Sequence, residues 1–222
     1  LTVDDSVNLS EVEYLAEPLG HRPSNVGLGA LPRGQRVRGV VLIAGVSTAR
    51  LAVWWIIASE IAIFGGVLGS YLMHRLAHGI WADYAANTNE WLGLTNTFIL
   101  LTSSLAAVLA HQAAERGDGK RAANLLYATC AGGFAFLCVK GYEWNYEISH
   151  GMTITSNTFW SFYYTAAGIH ALHVIAGCII MLFVAQTAKR NEELHRVEII
   201  GVYWHFVDVV WIFLFPLLYI AK

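Results

Sequence analysis

The stretch FWSFYYTAAGIHALHVIAGCIIMLFVAQT, residues 159–187, contains no Asp, Glu, Lys or Arg. A helix needs about 20 mostly apolar residues to cross the hydrocarbon core of a bilayer, so this stretch predicts a membrane span. Four further segments read the same way, over residues 51–73, 91–110, 123–142 and 199–220. The 222 residues are 56% hydrophobic and 14% charged, with a mean hydropathy of +0.48. A soluble domain lies nearer about 45–50% apolar and about 25% charged. Charges here gather between the apolar runs instead of alternating with them along helix faces. The expected fold is all-α: a bundle of five transmembrane helices over residues 50–222, preceded by a polar N-terminal extension over residues 1–49.

That extension holds Pro18, Pro23 and Pro32, starts acidic (Asp4, Asp5, Glu11, Glu13, Glu17) and ends basic (Arg33, Arg36, Arg38). It lacks the pattern of a signal peptide, and it is expected in water, against the membrane or a partner. Residues 39–47 are apolar but too short to cross; they are expected to lengthen the first helix or lie at the interface. A net charge of −2 gives no hint of nucleic acid as a partner. Cys130, Cys138 and Cys178 all fall in apolar runs and read as packing residues, poor material for a disulfide framework or a zinc site.

Lys and Arg set the orientation. Arg22, Arg33, Arg36, Arg38 and Arg50 precede the first span, Arg116, Lys120 and Arg121 follow the second, and Lys189, Arg190 and Arg196 follow the fourth. Eleven of the fourteen basic residues thus share one side, and Arg75, Lys140 and Lys222 fall on the other beside Asp83, Glu90, Glu143 and Glu147. The N-terminus is expected in the cytoplasm and the C-terminus outside. Trp54, Trp55, Trp81, Trp91, Trp144 and Trp160 lie near span ends, where interfacial aromatics belong, and Gly65 and Gly69 form a GxxxG that permits close helix approach.

Polar groups inside spans ask for a reason, because an ionisable side chain at the bilayer centre costs at least about 2.5–3.5 kcal/mol on insertion scales. Glu60 lies ten residues after Arg50, well inside the first span. It reads either as a protonatable carboxylate touching a proton path or partner subunit, or as a neutral acid bonded to a neighbouring helix. His170 and His173 share one face of span four and read as metal ligands, as helix ties, or as donors to a lipid headgroup. In the last span Trp204, Asp208 and Trp211 form one stripe, and His205 and Asp208, three apart, are placed to pair. A buried Asp needs such a donor. A polar clasp is the stronger reading of this stretch. Glu143 and Glu147, near the outer end of span three, read as solvated carboxylates or as contacts for a basic partner.

Tyr203-Trp204-His205-Phe206-Val207-Asp208-Val209-Val210-Trp211 resembles the last-helix signature of subunit III of the haem-copper terminal oxidases. Gly168-Ile169-His170-Ala171-Leu172-His173-Val174 is similar to the stretch one helix earlier in that family. Asn96-Thr97 with Leu101-Thr102-Ser103-Ser104, Gly141-Tyr142-Glu143-Trp144, and Ser59-Glu60 match three more landmarks, in the family's order. The resemblance covers residues 54–219 and leans toward the five-helix bacterial cytochrome c oxidase form. It implies an accessory subunit of an inner-membrane oxidase of the aerobic respiratory chain, which reduces O₂ to water and pumps protons.

In that family haem and copper belong to subunits I and II, and subunit III packs on subunit I and supports its proton uptake. The implied partners are subunit I directly, then subunit II, small subunits or a respiratory supercomplex, and membrane lipid. Glu60 would be the carboxylate facing subunit I. His170, His173, Trp204, His205, Asp208 and Trp211 would tie helices or contact lipid, and phospholipid is the expected bound molecule. Most mitochondrial-type members carry seven helices, and lipids fill the cleft that the first two make with the rest; this chain shows five spans.

The histidine inventory fits an accessory role. Of nine histidines only His170, His173 and His205 lie well inside spans, and no His-His pair occurs. A catalytic core with two haems and a copper needs more. Competing readings are a quinol oxidase subunit III, a nitric oxide reductase accessory protein and a stand-alone transporter. A transporter calls for repeated halves or broken helices, whereas Pro216 is the one proline within a span. An intramembrane hydrolase needs a base beside Ser103 or Ser104, and the sequence suggests none.

Overall fold

A computed structural model describes residues 42–43, 46–77 and 84–220. Five long helices account for nearly all of them: α1 (Thr48–Ala77), α2 (Glu90–Glu115), α3 (Gly119–Ser149), α4 (Thr158–Ala188) and α5 (His195–Phe215). Each is long and apolar enough to cross a membrane. The first four helices run past both ends of the spans expected for them and α5 starts before its own, because apolar content marks the hydrocarbon core while the helices continue into the polar interface. Most of the polar extension, the segment 39–41 and Trp81 lie outside the described residues. Residues 42–43 and 46–47 pair as two short antiparallel strands, so this piece does not lengthen the first helix.

Local chemistry fixes the helix ends. Asn89, Asp118 and Asn157 cap α2, α3 and α4, each side chain accepting from backbone N–H groups of the first turn. The α2–α3 connection turns at Gly117 and the α3–α4 connection at Gly151, with φ of +77° and +82°, which suit glycine. At Gly119 a Cβ would come within 2.0 Å of the Ala188 carbonyl oxygen, so only glycine lets α3 start against the end of α4. Its N–H donates to Asn191 Oδ1 at 2.8 Å.

The helices α2, α3, α4 and α5 close a four-membered ring, with α1 leaning on α4 and α5. Small residues let the ring close. Gly133 and Gly177 lie flat against the Trp204 indole, and Gly132 against Ser103. The Gly65–Gly69 pair has no such use here, since a Cβ at either would meet nothing within 4 Å. Phe98, Phe134, Leu172, Phe183 and Phe213 point outward, as lipid-facing side chains do. Trp54, Trp55 and Trp91 are exposed as interfacial tryptophans should be, but Trp160 is a core residue at 2% exposure. Pro216, which has no N–H to continue the ladder, opens a π-helical turn over Pro216–Ile220. Tyr71 of α1 donates its hydroxyl to the Leu217 carbonyl there, at 2.7 Å.

Candidate functional site

Three polar assemblies lie within the apolar bundle. The first joins α1 to α4. Glu60, 9% exposed, places Oε2 3.0 Å from His173 Nε2. His173 Nδ1 lies 2.8 Å from the Ile169 carbonyl, which can only accept, so Nδ1 carries a hydrogen. Glu60 Oε2 and His173 Nε2 approach without the alignment of a hydrogen bond, so the two form an acid–base contact on the cleft wall. Phe64 packs edge-on to the ring and Tyr203 donates to the His173 carbonyl at 3.3 Å. Glu60, His173 and Tyr203 line a cleft of about 800 Å³ between α1, α4 and α5. Its walls include Val53, Ile56, Ile180 and Phe183, and Arg190 and Arg196 border it near the α4–α5 turn.

The second assembly is the α2–α5 seam. Trp204 donates its indole N–H to Ser103 Oγ and Trp211 donates to Thr97 Oγ1, both at 3.1 Å. The sequence suggested that His205 would pair with Asp208. Instead His205 Nδ1 lies 2.5 Å from Ser104 Oγ of α2, a partner on another helix. The serine pair thus has the imidazole neighbour that the sequence did not suggest. Asp208 is 4% exposed and neither carboxyl oxygen finds a hydrogen-bond partner among the described residues. His170, fully buried, ties helices by ring contacts with Phe136 of α3 and Trp211 of α5 at 5.4 and 5.3 Å.

The third assembly overturns an expectation. Glu143 and Glu147 are not solvated but 1% and 2% exposed, because α3 continues beyond the expected span end and carries them inward. Lys140, 1% exposed, donates to Glu143 Oε2 and to the Tyr163 hydroxyl, both at 3.0 Å, and to the Tyr219 hydroxyl. Tyr163 donates to Glu147 Oε1 at 2.9 Å, and Tyr164 lies 3.3 Å from Oε2. The ammonium also stands over the Trp144, Tyr163, Trp211 and Tyr219 rings at 4.7–5.9 Å. Sequence reasoning had left Lys140 at the outer surface. The signal was present: Lys140, Glu143 and Glu147 recur at i, i+3 and i+7, one stripe of a helix. Among the described residues no three His, Cys, Asp or Glu gather as a metal site would require.

These assemblies all fall within residues 38–222, the region that matches the family model described as cytochrome c oxidase subunit III. The chain belongs to that family. A cytochrome c oxidase subunit 3 of Corynebacterium diphtheriae is 33% identical, over 75% of this chain and 84% of that protein. One of Thermostichus vulcanus is 34% identical, over 73% of this chain and 82% of its own length. A heme-copper oxidase subunit I+III of Aeropyrum pernix is 31% identical over 78% of this chain, which spans 22% of that longer protein. Membership of the cytochrome c oxidase subunit III family makes the chain a multi-pass membrane component of an oxidoreductase complex.

Proposed function

We propose that the chain is the accessory, non-catalytic subunit III of a proton-pumping haem-copper oxidase, held against subunit I in a bacterial inner membrane. Haem and copper reside in its partners. The Glu60–His173 pair on the cleft wall carries this reading: a membrane carboxylate that lies 3.0 Å from a histidine and is not closed over can serve a neighbouring proton path. The fused subunit I+III relative supports direct contact with subunit I. Relatives named for cytochrome c oxidase favour cytochrome c as donor, and the quinol oxidase and nitric oxide reductase alternatives gain no support.

The cleft suits a phospholipid, with acyl chains along Ile56, Ile180 and Phe183 and an anionic headgroup near Arg190 and Arg196. In the proposed orientation those arginines and the residue 1–49 extension face the cytoplasm, and the α3–α4 turn faces outward. Gentle solubilisation through an affinity tag, followed by a reduced-minus-oxidised spectrum, tests the assignment. An a-type haem band with O₂ consumption fed by cytochrome c is the expected result. A pure chain without chromophore or partner would overturn it.

A further inference from the structure

We infer that the Lys140 cluster is a proton-binding site, with one exchangeable proton held on Glu147 and passed to the aqueous phase beyond the α3–α4 turn. This goes beyond the subunit assignment and does not depend on it. The inference starts from a charge count. Two carboxyl groups and one ammonium lie together, all at 2% exposure or less. Fully ionised, they would leave one uncompensated negative charge among buried side chains, which is strongly unfavourable.

Geometry decides which acid is neutral. Lys140 uses its three donors on Glu143, Tyr163 and Tyr219, so of the two acids it is Glu143 that receives the ion pair. Glu147 receives only hydroxyl contacts, from Tyr163 at 2.9 Å and Tyr164 at 3.3 Å. Among the described residues its charged neighbours are Lys140 and Glu143 of its own helix, while α4 contributes Tyr163 and Tyr164 and the C-terminal turn contributes Tyr219 through Tyr163, at 3.1 Å.

An exit lies close by. Glu147 stands two residues before the end of α3, and the half-buried Tyr164 hydroxyl also reaches the Met152 carbonyl, at 2.7 Å, in the connecting turn. A proton leaving Glu147 passes to water at that face and leaves a carboxylate behind. Uptake reverses the step, and no electron moves.

Infrared difference spectroscopy on the full chain in its lipid-embedded complex tests this. Wild type minus Glu147→Gln should show one protonated-carboxyl C=O band that shifts in D₂O and fades as pH is raised. Lys140→Met should add one such band, since without the ammonium both acids must be neutral. A wild-type spectrum unchanged by Glu147→Gln, or a band that never exchanges with D₂O, would overturn the inference and leave a fixed structural clasp. If Lys140→Met does not assemble, the Glu147→Gln comparison decides alone, because the amide keeps the shape and the tyrosine contacts.

Discussion

Glu143 lies 3.0 Å from the Lys140 ammonium, and Glu60 lies 3.0 Å from the His173 imidazole. The two acid–base pairs nonetheless live in different settings. The first is sealed: its side chains are 2% exposed each, with tyrosine hydroxyls on every donor that Glu143 leaves over. The second is open: its side chains are 11% and 22% exposed and lie on the wall of an 800 Å³ cleft bordered by two arginines. The sealed Lys140–Glu143 pair must balance its charge from within and holds α3, α4 and the C-terminal turn together, so the proton exchange proposed above falls to Glu147, nearer the α3–α4 turn. An open pair can change its partner or its proton as something in the cleft or beside it changes. Access, more than residue type, separates a clasp from a responsive site.

Removing the ammonium should have the largest effect. Lys140→Met leaves two buried acids against tyrosines alone, and loss of one member of a buried pair typically costs about 3–5 kcal/mol. Thermal unfolding in mild detergent should show a clear drop in midpoint, with the α3–α4 turn the first region to become protease-sensitive. An unchanged midpoint would erase the contrast between the regions. Next in size is Trp204→Phe, at the seam between them. It removes the hydrogen bond to Ser103 and opens space against Gly133 and Gly177, for a loss of about 2 kcal/mol. A loss as large as that of Lys140→Met would show that the seam, and not the sealed cluster, dominates the bundle.

Much of this architecture was legible in the amino-acid sequence, for a physical reason. A bilayer demands about 20 apolar residues per span, and that requirement is written locally in each of the five helices. The side of the bundle on which each turn lies also follows from the order of the helices. What could not be read were contacts between helices distant in the chain. His205 looked like the partner of Asp208 because the two are neighbours in sequence, yet it meets Ser104, 101 positions away. Glu143 and Glu147 looked solvated because apolar content falls after Tyr142, and only the tertiary placement of Tyr163 and Tyr219 shows them sealed. Glu60 stood out in the sequence as a carboxylate within the first apolar run, but its neighbour His173 lies on a helix three further along.

The smallest stability effect belongs to Glu60→Gln, and that is what makes it the sharpest probe of the open pair. The amide keeps the size of the acid and its approach to His173, so the change in unfolding free energy should stay below about 1 kcal/mol. What the substitution removes is the ability of residue 60 to take or release a proton. If the cleft pair serves proton uptake by a neighbouring subunit, the variant should assemble and begin O₂ reduction normally. Its proton-to-electron ratio should then fall, or its activity should decay sooner during turnover. Unchanged pumping and unchanged working life, measured in reconstituted vesicles, would reduce Glu60 to a structural contact between α1 and α4. The open pair would then differ from the sealed one in exposure alone, and the cleft would matter only for what it holds.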